Sequence, residues 1–269
     1  MSIPTTAAEP AFVDVAGRRI RHLVTGEGDA VLLVHGFAGC IETWSKNQAA
    51  LAAGGRTVAA LDLPGHGESS LDVGSGSLDE LVACVRAYLD AAGFDRVHLV
   101  GHSMGAALSL ALTDHDPARV RSLTLIGPAG FGQRINPDFI RGMVAARTAE
   151  ELQPLMRQLY ADPARLTDAE VELAVAAKRR DGAVEALTKV ASSRYAGTPS
   201  GRQLRDVAGT VPTLVIWGAD DAVVPPPATG ELAREGVSVH VVPRAGHMVQ
   251  VEAADEFNRL VGDFLRHVG

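Results

Sequence analysis

Six short apolar runs, Ala30 to Val34, Thr57 to Leu61, Val97 to Val100, Ser122 to Ile126, Thr213 to Trp217 and Val237 to Val242, punctuate a chain of 269 residues, with helix-period segments between them. Runs without a polar alternate face suit strands covered on both sides, and a helix in each connection makes neighbouring strands parallel. Ahead of them, "FVDVAGRRIRHLV" alternates about an Ala16-Gly17 turn and predicts a β-hairpin. The expected class is therefore α/β, a mostly parallel eight-stranded sheet flanked by helices. Ser77 with Glu80 three residues on predicts a capping box at the start of a helix over Leu78 to Ala92.

The rhythm breaks between Gly132 and Arg205, where strand-like runs give way to "DFIRGMVAAR", "AEELQPLMRQLY", "DAEVELAVAAKRR" and "GAVEALTKVASSRY". A strand precedes this block and another follows it. The expectation is a helical cap, residues 132–205, inserted into a core built from 1–131 and 206–269.

Composition narrows the class of partner. A formal net charge of −7 argues against nucleic acid and an anionic membrane surface. No stretch approaches the roughly 20 apolar residues needed to span a bilayer, and "MSIPTTAAEP" lacks a basic start and an apolar leader core. The two cysteines, Cys40 and Cys84, have neither disulfide-framework nor metal spacing. A cytoplasmic protein without metal or cofactor is expected, acting on a small-molecule substrate, with a homodimer left open.

The chemistry concentrates in "VHLVGHSMGAALSLAL", residues 97–112. A strand, then G-x-S-x-G, then a helix is the pattern of a nucleophile elbow, in which Ser103 takes a strained turn and Gly101 and Gly105 avoid collision with neighbouring backbone. The helix starting there aims its first N–H groups at developing negative charge. A serine nucleophile needs a base, and the base an orienting acid. "TLVIWGADDAVVP" places Asp220 and Asp221 after a buried strand, and "VSVHVVPRAGHMVQVE" places His247 between the last strand and the last helix.

Of nine histidines, His22, His98 and His240 fall within strand patterns, and His115 and His267 close helices. His102 adjoins the serine but points away from it at a strand end. His35 and His66 sit in glycine-bearing loops. His247 alone combines the expected chain position with a preceding glycine. Asp221 is preferred to Asp220 because its loop, bounded by Gly218 and Pro225, turns the carboxylate back towards His247; Asp62 is a weaker rival, out of order. The oxyanion donors expected are the N–H groups of Met104 and Phe37, with Ala38 second. His35, Ala38, His102 and Met248 are the expected pocket wall.

"HGFAG", "DLPGHGES", "GHSMG", "WGADDAVVP" and "AGHMVQVE", in that order, resemble the α/β-hydrolase fold superfamily over nearly the whole chain. Within it, "GHSMGAALSLAL", "LIGPAGFG", "KRRDGAVEAL" and "GHMVQVEAADEFNRL" are similar to the hydrolase-like carboxyl-terminal domain of the acetoin dehydrogenase E2 component. That domain normally follows a lipoyl domain, which this sequence lacks, so a stand-alone hydrolase is expected over an acyl carrier. "YADPARLTDAEVE" looks like the carbon-carbon bond hydrolases of aromatic ring cleavage, although these usually carry tryptophan after the catalytic histidine and here Met248 stands there.

The resemblance and the residues together imply a serine hydrolase of small carboxylic esters or related acyl compounds. Alternatives are acyl transfer or an acetoin dehydrogenase role, carbon-carbon bond hydrolysis, and ligand binding without turnover. Residues 132 to 205 hold 12 Lys+Arg against 9 Asp+Glu in an otherwise acidic chain. This asymmetry motivates an expectation that an arginine of the cap meets a substrate carboxylate.

Overall fold

The computed structural model describes residues 9–131, 135–193, 203–227 and 235–269. The hairpin forms as strands β1 (Ala11–Val15) and β2 (Arg18–Thr25). The six apolar runs become β3 (Asp29–Val34), β4 (Arg56–Leu61), β5 (Val97–His102), β6 (Val120–Ile126), β7 (Thr213–Gly218) and β8 (Val237–Val242). They make one eight-stranded sheet in the order β1-β2-β4-β3-β5-β6-β7-β8. The pairings of β1 with β2 and of β2 with β4 are antiparallel, and the rest are parallel.

Alternation along each strand divides the core in two, because successive side chains leave opposite faces of a sheet. Leu32, Val34, Leu99, Leu123, Leu125 and Trp217 pack with α2 (Leu78–Ala91) and α3 (Met104–His115). Val31, Leu33, Val100, Ile126, Leu214 and Ile216 pack on the other face. Their partners there include α1 (Gln48–Ala52) and the carboxyl-terminal helix. That last helix, α9 (Ala254–Val268), follows a short α8 (Val249–Glu252) and buries Phe257, Val261 and Leu265 at four-residue spacing. Each such burial is worth about 1.5–3 kcal/mol, enough to fix which side of α9 faces the sheet.

Two local expectations are corrected. β8 is an edge strand, and Ser238, His240 and Val241 along it are exposed, so its sequence alternates for one covered face. At α2, Ser77 Oγ accepts from the Glu80 N–H at 3.2 Å, but the reciprocal half of the box does not form. Glu80 is drawn instead to Arg18 Nη2 at 2.7 Å, and the Ser77 N–H donates to Ser75 Oγ.

Between β6 and β7 lie α4 (Pro137–Ala145), α5 (Ala149–Met156), α6 (Asp168–Lys178) and α7 (Ala183–Ala191). Thr148 with Glu151, and Thr167 with Glu170, form complete capping boxes at the starts of α5 and α6. Residues 132–134 and 194–202, both within the expected cap, lie outside the described residues. Among the described residues no helix is long and apolar enough to cross a membrane.

Parallel register brings the carboxyl ends of the central strands to one edge: Val34 pairs Gly101, His102 pairs Ile126, Ile126 pairs Ile216 and Gly218 pairs Val242. The loops leaving that edge carry Phe37, Ser103, Gly127, Asp221 and His247, the place where open α/β sheets gather their ligands.

Candidate active site

Ser103 occupies the single-residue turn between β5 and α3 at φ 52°, ψ −113°. A non-glycine residue held there stores strain of about 1–3 kcal/mol, tolerated where the surrounding fold over-determines it. The flanking glycines are a steric requirement: a Cβ at Gly101 would lie 2.4 Å from the Gly105 carbonyl oxygen, and one at Gly105 would lie 2.2 Å from that of Val34. The Ser103 N–H donates to the Ile126 carbonyl at 2.8 Å, which ties the turn to β6.

His247 and Asp221 meet although 26 residues separate them: Nδ1 of the imidazole lies 2.7 Å from Asp221 Oδ2, with both side chains buried. The other carboxylate oxygen, Oδ1, accepts the N–H groups of Val223 and Val224 at 2.9 and 2.8 Å. A carboxylate has only acceptors to offer, so Nδ1 carries the proton and Nε2 presents a lone pair. Asp220, next door, is exposed. Room for the pair comes from Gly127, at φ +46°, where a Cβ would approach both Asp221 Oδ2 and His247 Nδ1 to 3.1 Å. Nothing in the spacing of "LIGPAGFG" singles out that glycine beforehand.

Ser103 and His247 both line a cavity of about 970 Å³ beneath α4 to α6. Phe37, Ala38, Met104, His102 and Met248 are on its wall, as are Phe139, Met143 and Met156 from the inserted helices. Most of the surface it presents is apolar, as in small-molecule sites, with charged side chains such as Arg165, Glu170 and Arg180 also on the wall. Arg180 reaches this wall from beyond α6, its Nη2 donating to the Ser69 carbonyl at 2.8 Å and its Nη1 to that of Gly67.

Several expected residues serve otherwise. His35 is fully buried and absent from the cavity wall. Its Nε2 accepts the Leu63 N–H at 3.0 Å and its Nδ1 meets the Gly36 carbonyl at 2.7 Å, so it braces the loop after β4 against that after β3. Burial lowers it to about 3. His66 is buried too, bonded to the Pro64 carbonyl and lowered to about 4 by loss of solvation. Asp62, the rival acid, spends its carboxylate on the N–H groups of Ile41 and Glu68, at 2.7 and 2.8 Å, and on Arg21. Burial raises it to about 6. His102 does not turn away: its ring packs against that of His247 at a tilt and lines the cavity. Both cysteines are free thiols, their ionisation pushed up by burial. Among the described residues no group of three or more His, Cys, Asp or Glu side chains is placed to hold a metal ion.

Comparison with known proteins agrees with this architecture. The family model described as alpha/beta hydrolase fold matches residues 29–254. A dihydrolipoyllysine-residue acetyltransferase component of an acetoin cleaving system, from Pseudomonas putida, is 44% identical over 261 residues, covering 96% of this chain and 69% of its own. The 2-hydroxy-6-oxononadienedioate/2-hydroxy-6-oxononatrienedioate hydrolase 1 of Dechloromonas aromatica is 34% identical over 254 residues, covering 89% of this chain and 87% of its own. Among solved structures, a meta-cleavage product hydrolase from Pseudomonas fluorescens IP01 superposes with a TM-score of 0.83 at 25% identity, covering 96% of this chain and 98% of its own. Sheet order, serine turn and sequence likeness lead to one conclusion: the chain belongs to the α/β-hydrolase fold family.

Proposed function

We propose that this protein is a serine hydrolase that cleaves a small carboxylic ester or related acyl compound through an acyl-enzyme. The supporting observation is the buried His247-Asp221 pair, 2.7 Å apart, of which His247 is on the wall of the same cavity that Ser103 enters from a strained turn. Ser103 Oγ adds to the substrate carbonyl carbon as His247 Nε2 takes its proton. The oxyanion so formed faces the N–H groups of Phe37 and Met104. As the carbon-oxygen bond to the leaving group breaks, Nε2 returns the proton to that alkoxide. Water then adds to the acyl carbon, again losing a proton to Nε2, and the bond to Oγ breaks with the proton restored to the serine. Asp221 holds the imidazole in the tautomer this cycle needs.

Residues 132–205 act in this proposal as a cap that excludes water and sets acyl size. A p-nitrophenyl ester ladder tests it: turnover that vanishes with Ser103→Ala is expected, and retained turnover in that variant would refute it.

Carbon-carbon bond hydrolysis is a second reading, supported by the likeness to the Dechloromonas aromatica hydrolase and by Arg180 on the cavity wall, a cation suited to a substrate carboxylate. A vinylogous diketone bearing a carboxylate, assayed beside a neutral ester, separates the two: faster cleavage of the diketone favours the second reading.

A further inference from the structure

Glu252, just beyond His247 in the chain, is 9% exposed and has no place in the acyl-transfer scheme. Its Oε2 accepts the Gly246 N–H at 2.6 Å, one residue before His247. Its Oε1 accepts the N–H groups of Ala161 and Asp162, at 2.9 and 3.3 Å, from the inserted helical block. One carboxylate thus joins two loops that have no chain connection nearby. Further bonds run the same way. The Met248 N–H donates to the Leu159 carbonyl at 3.1 Å, and Arg165 Nη1 donates to the backbone carbonyl of Glu252. The contact is close enough to demand glycine: a Cβ at Gly246 would lie 2.6 Å from the Ala161 nitrogen and 2.8 Å from the Leu159 oxygen. Leu159 and Tyr160, on the joined segment, line the cavity, and Tyr160 is moored to α6 through its hydroxyl, which donates to Glu170 at 2.6 Å.

We propose that Glu252 is a positioning residue that makes docking of the 159–162 segment and orientation of His247 a single event. The proposal rests on the reading of His247 as the general base. A shift of either loop is transmitted to the other through hydrogen bonds to the two oxygens of one side chain. A substrate that presses on Leu159 and Tyr160 therefore also sets the imidazole.

Glu252→Gln tests it. A carboxamide has one acceptor oxygen where the carboxylate has two, so its NH2 group must face either the Gly246 or the Ala161 N–H. With p-nitrophenyl butyrate, kcat is expected to fall about 10–100-fold with KM within about threefold, the scale that misplacing a reacting group by 1 Å produces. Labelling of Ser103 by diisopropyl fluorophosphate is expected to slow in parallel. Gly246→Ala, which pushes the same loops apart without touching the carboxylate, is expected to behave alike. Glu252→Asp, which keeps both acceptors on a shorter reach, is expected to recover part of the loss, and it replaces the glutamine variant should that fail to fold. A lowered Tm with kcat and labelling rate unchanged would overturn the proposal and leave Glu252 a structural clamp. An inactive wild type, or an active Ser103→Ala, would instead overturn the reading beneath it.

Discussion

Nε2 of His102 lies 3.0 Å from the backbone carbonyl oxygen of His247, and the two rings meet at a tilt of 53° with centroids 4.6 Å apart. His102 therefore holds the loop that carries His247, the proposed base. A carbonyl only accepts, so His102 donates from Nε2, and burial keeps the ring neutral by pushing its ionisation well below the usual imidazole value. Replacing His102 with alanine leaves a buried carbonyl unpaired, at a cost of about 1–3 kcal/mol. Urea unfolding of His102→Ala should show that loss, and His102→Gln, which restores an N–H donor, should recover part of it. Equal stability of alanine variant and wild type would refute the contact's importance.

Asp221→Asn should retain the fold and lose the reaction. The Val223 and Val224 N–H groups demand an oxygen, so the new amide must turn its NH2 towards His247 Nδ1. That forces the proton onto Nε2, the wrong tautomer for a base, and in serine proteases the equivalent change costs about 10⁴ in kcat. A loss below about tenfold would contradict the assigned role.

Gly127→Ala should impair activity more than stability. Its φ of +46° penalises a side chain, and the added carbon would press on the Asp221-His247 pair at 3.1 Å. The backbone term is about 1 kcal/mol, whereas displacement of the pair should lower kcat/KM by at least about tenfold. Steady-state kinetics beside a thermal melt separates the two effects.

Stability should fall as pH drops from about 6.5 towards 4. His35 and His66, lowered to about 3 and about 4 by burial, stay neutral in the folded chain while the unfolded chain takes up protons at the ordinary imidazole value. The unfolded state then binds more protons, so acid favours it, at about 1.4 kcal/mol per pH unit per net proton. Asp62 acts with the opposite sign: raised to about 6 by burial, it is protonated in the folded state first and offsets one histidine. A urea midpoint at pH 5 equal to that at pH 7 would contradict this balance.

The residues of the candidate site whose placement was legible are those whose sequence pattern is dictated by local sterics or chain order. Gly101 and Gly105 mark the turn at Ser103 because backbone atoms stand within 2.4 Å of where their Cβ atoms would be, and Asp221 and His247 each follow a strand at the same sheet edge. Residues whose roles depend on distant partners were not legible. His35 sits in a glycine loop that suggests a pocket wall, yet Leu63, 28 residues on, claims its ring. Glu80 has the spacing of a capping box, but Arg18 competes for it from β2. Glu252 belongs to no motif that marks its partners, and only the folding of residues 159–162 against it supplies the N–H groups that its carboxylate accepts. Likewise, β8 reads as a buried strand until the sheet order makes it an edge.

The most direct measurement is the mass of the protein quenched in acid during turnover of p-nitrophenyl butyrate. An increment of one butyryl group on the peptide containing Ser103, absent from Ser103→Ala, is the expected result. Ester hydrolysis at the wild-type rate by Ser103→Ala, or an acyl group found on any other residue, would contradict the account.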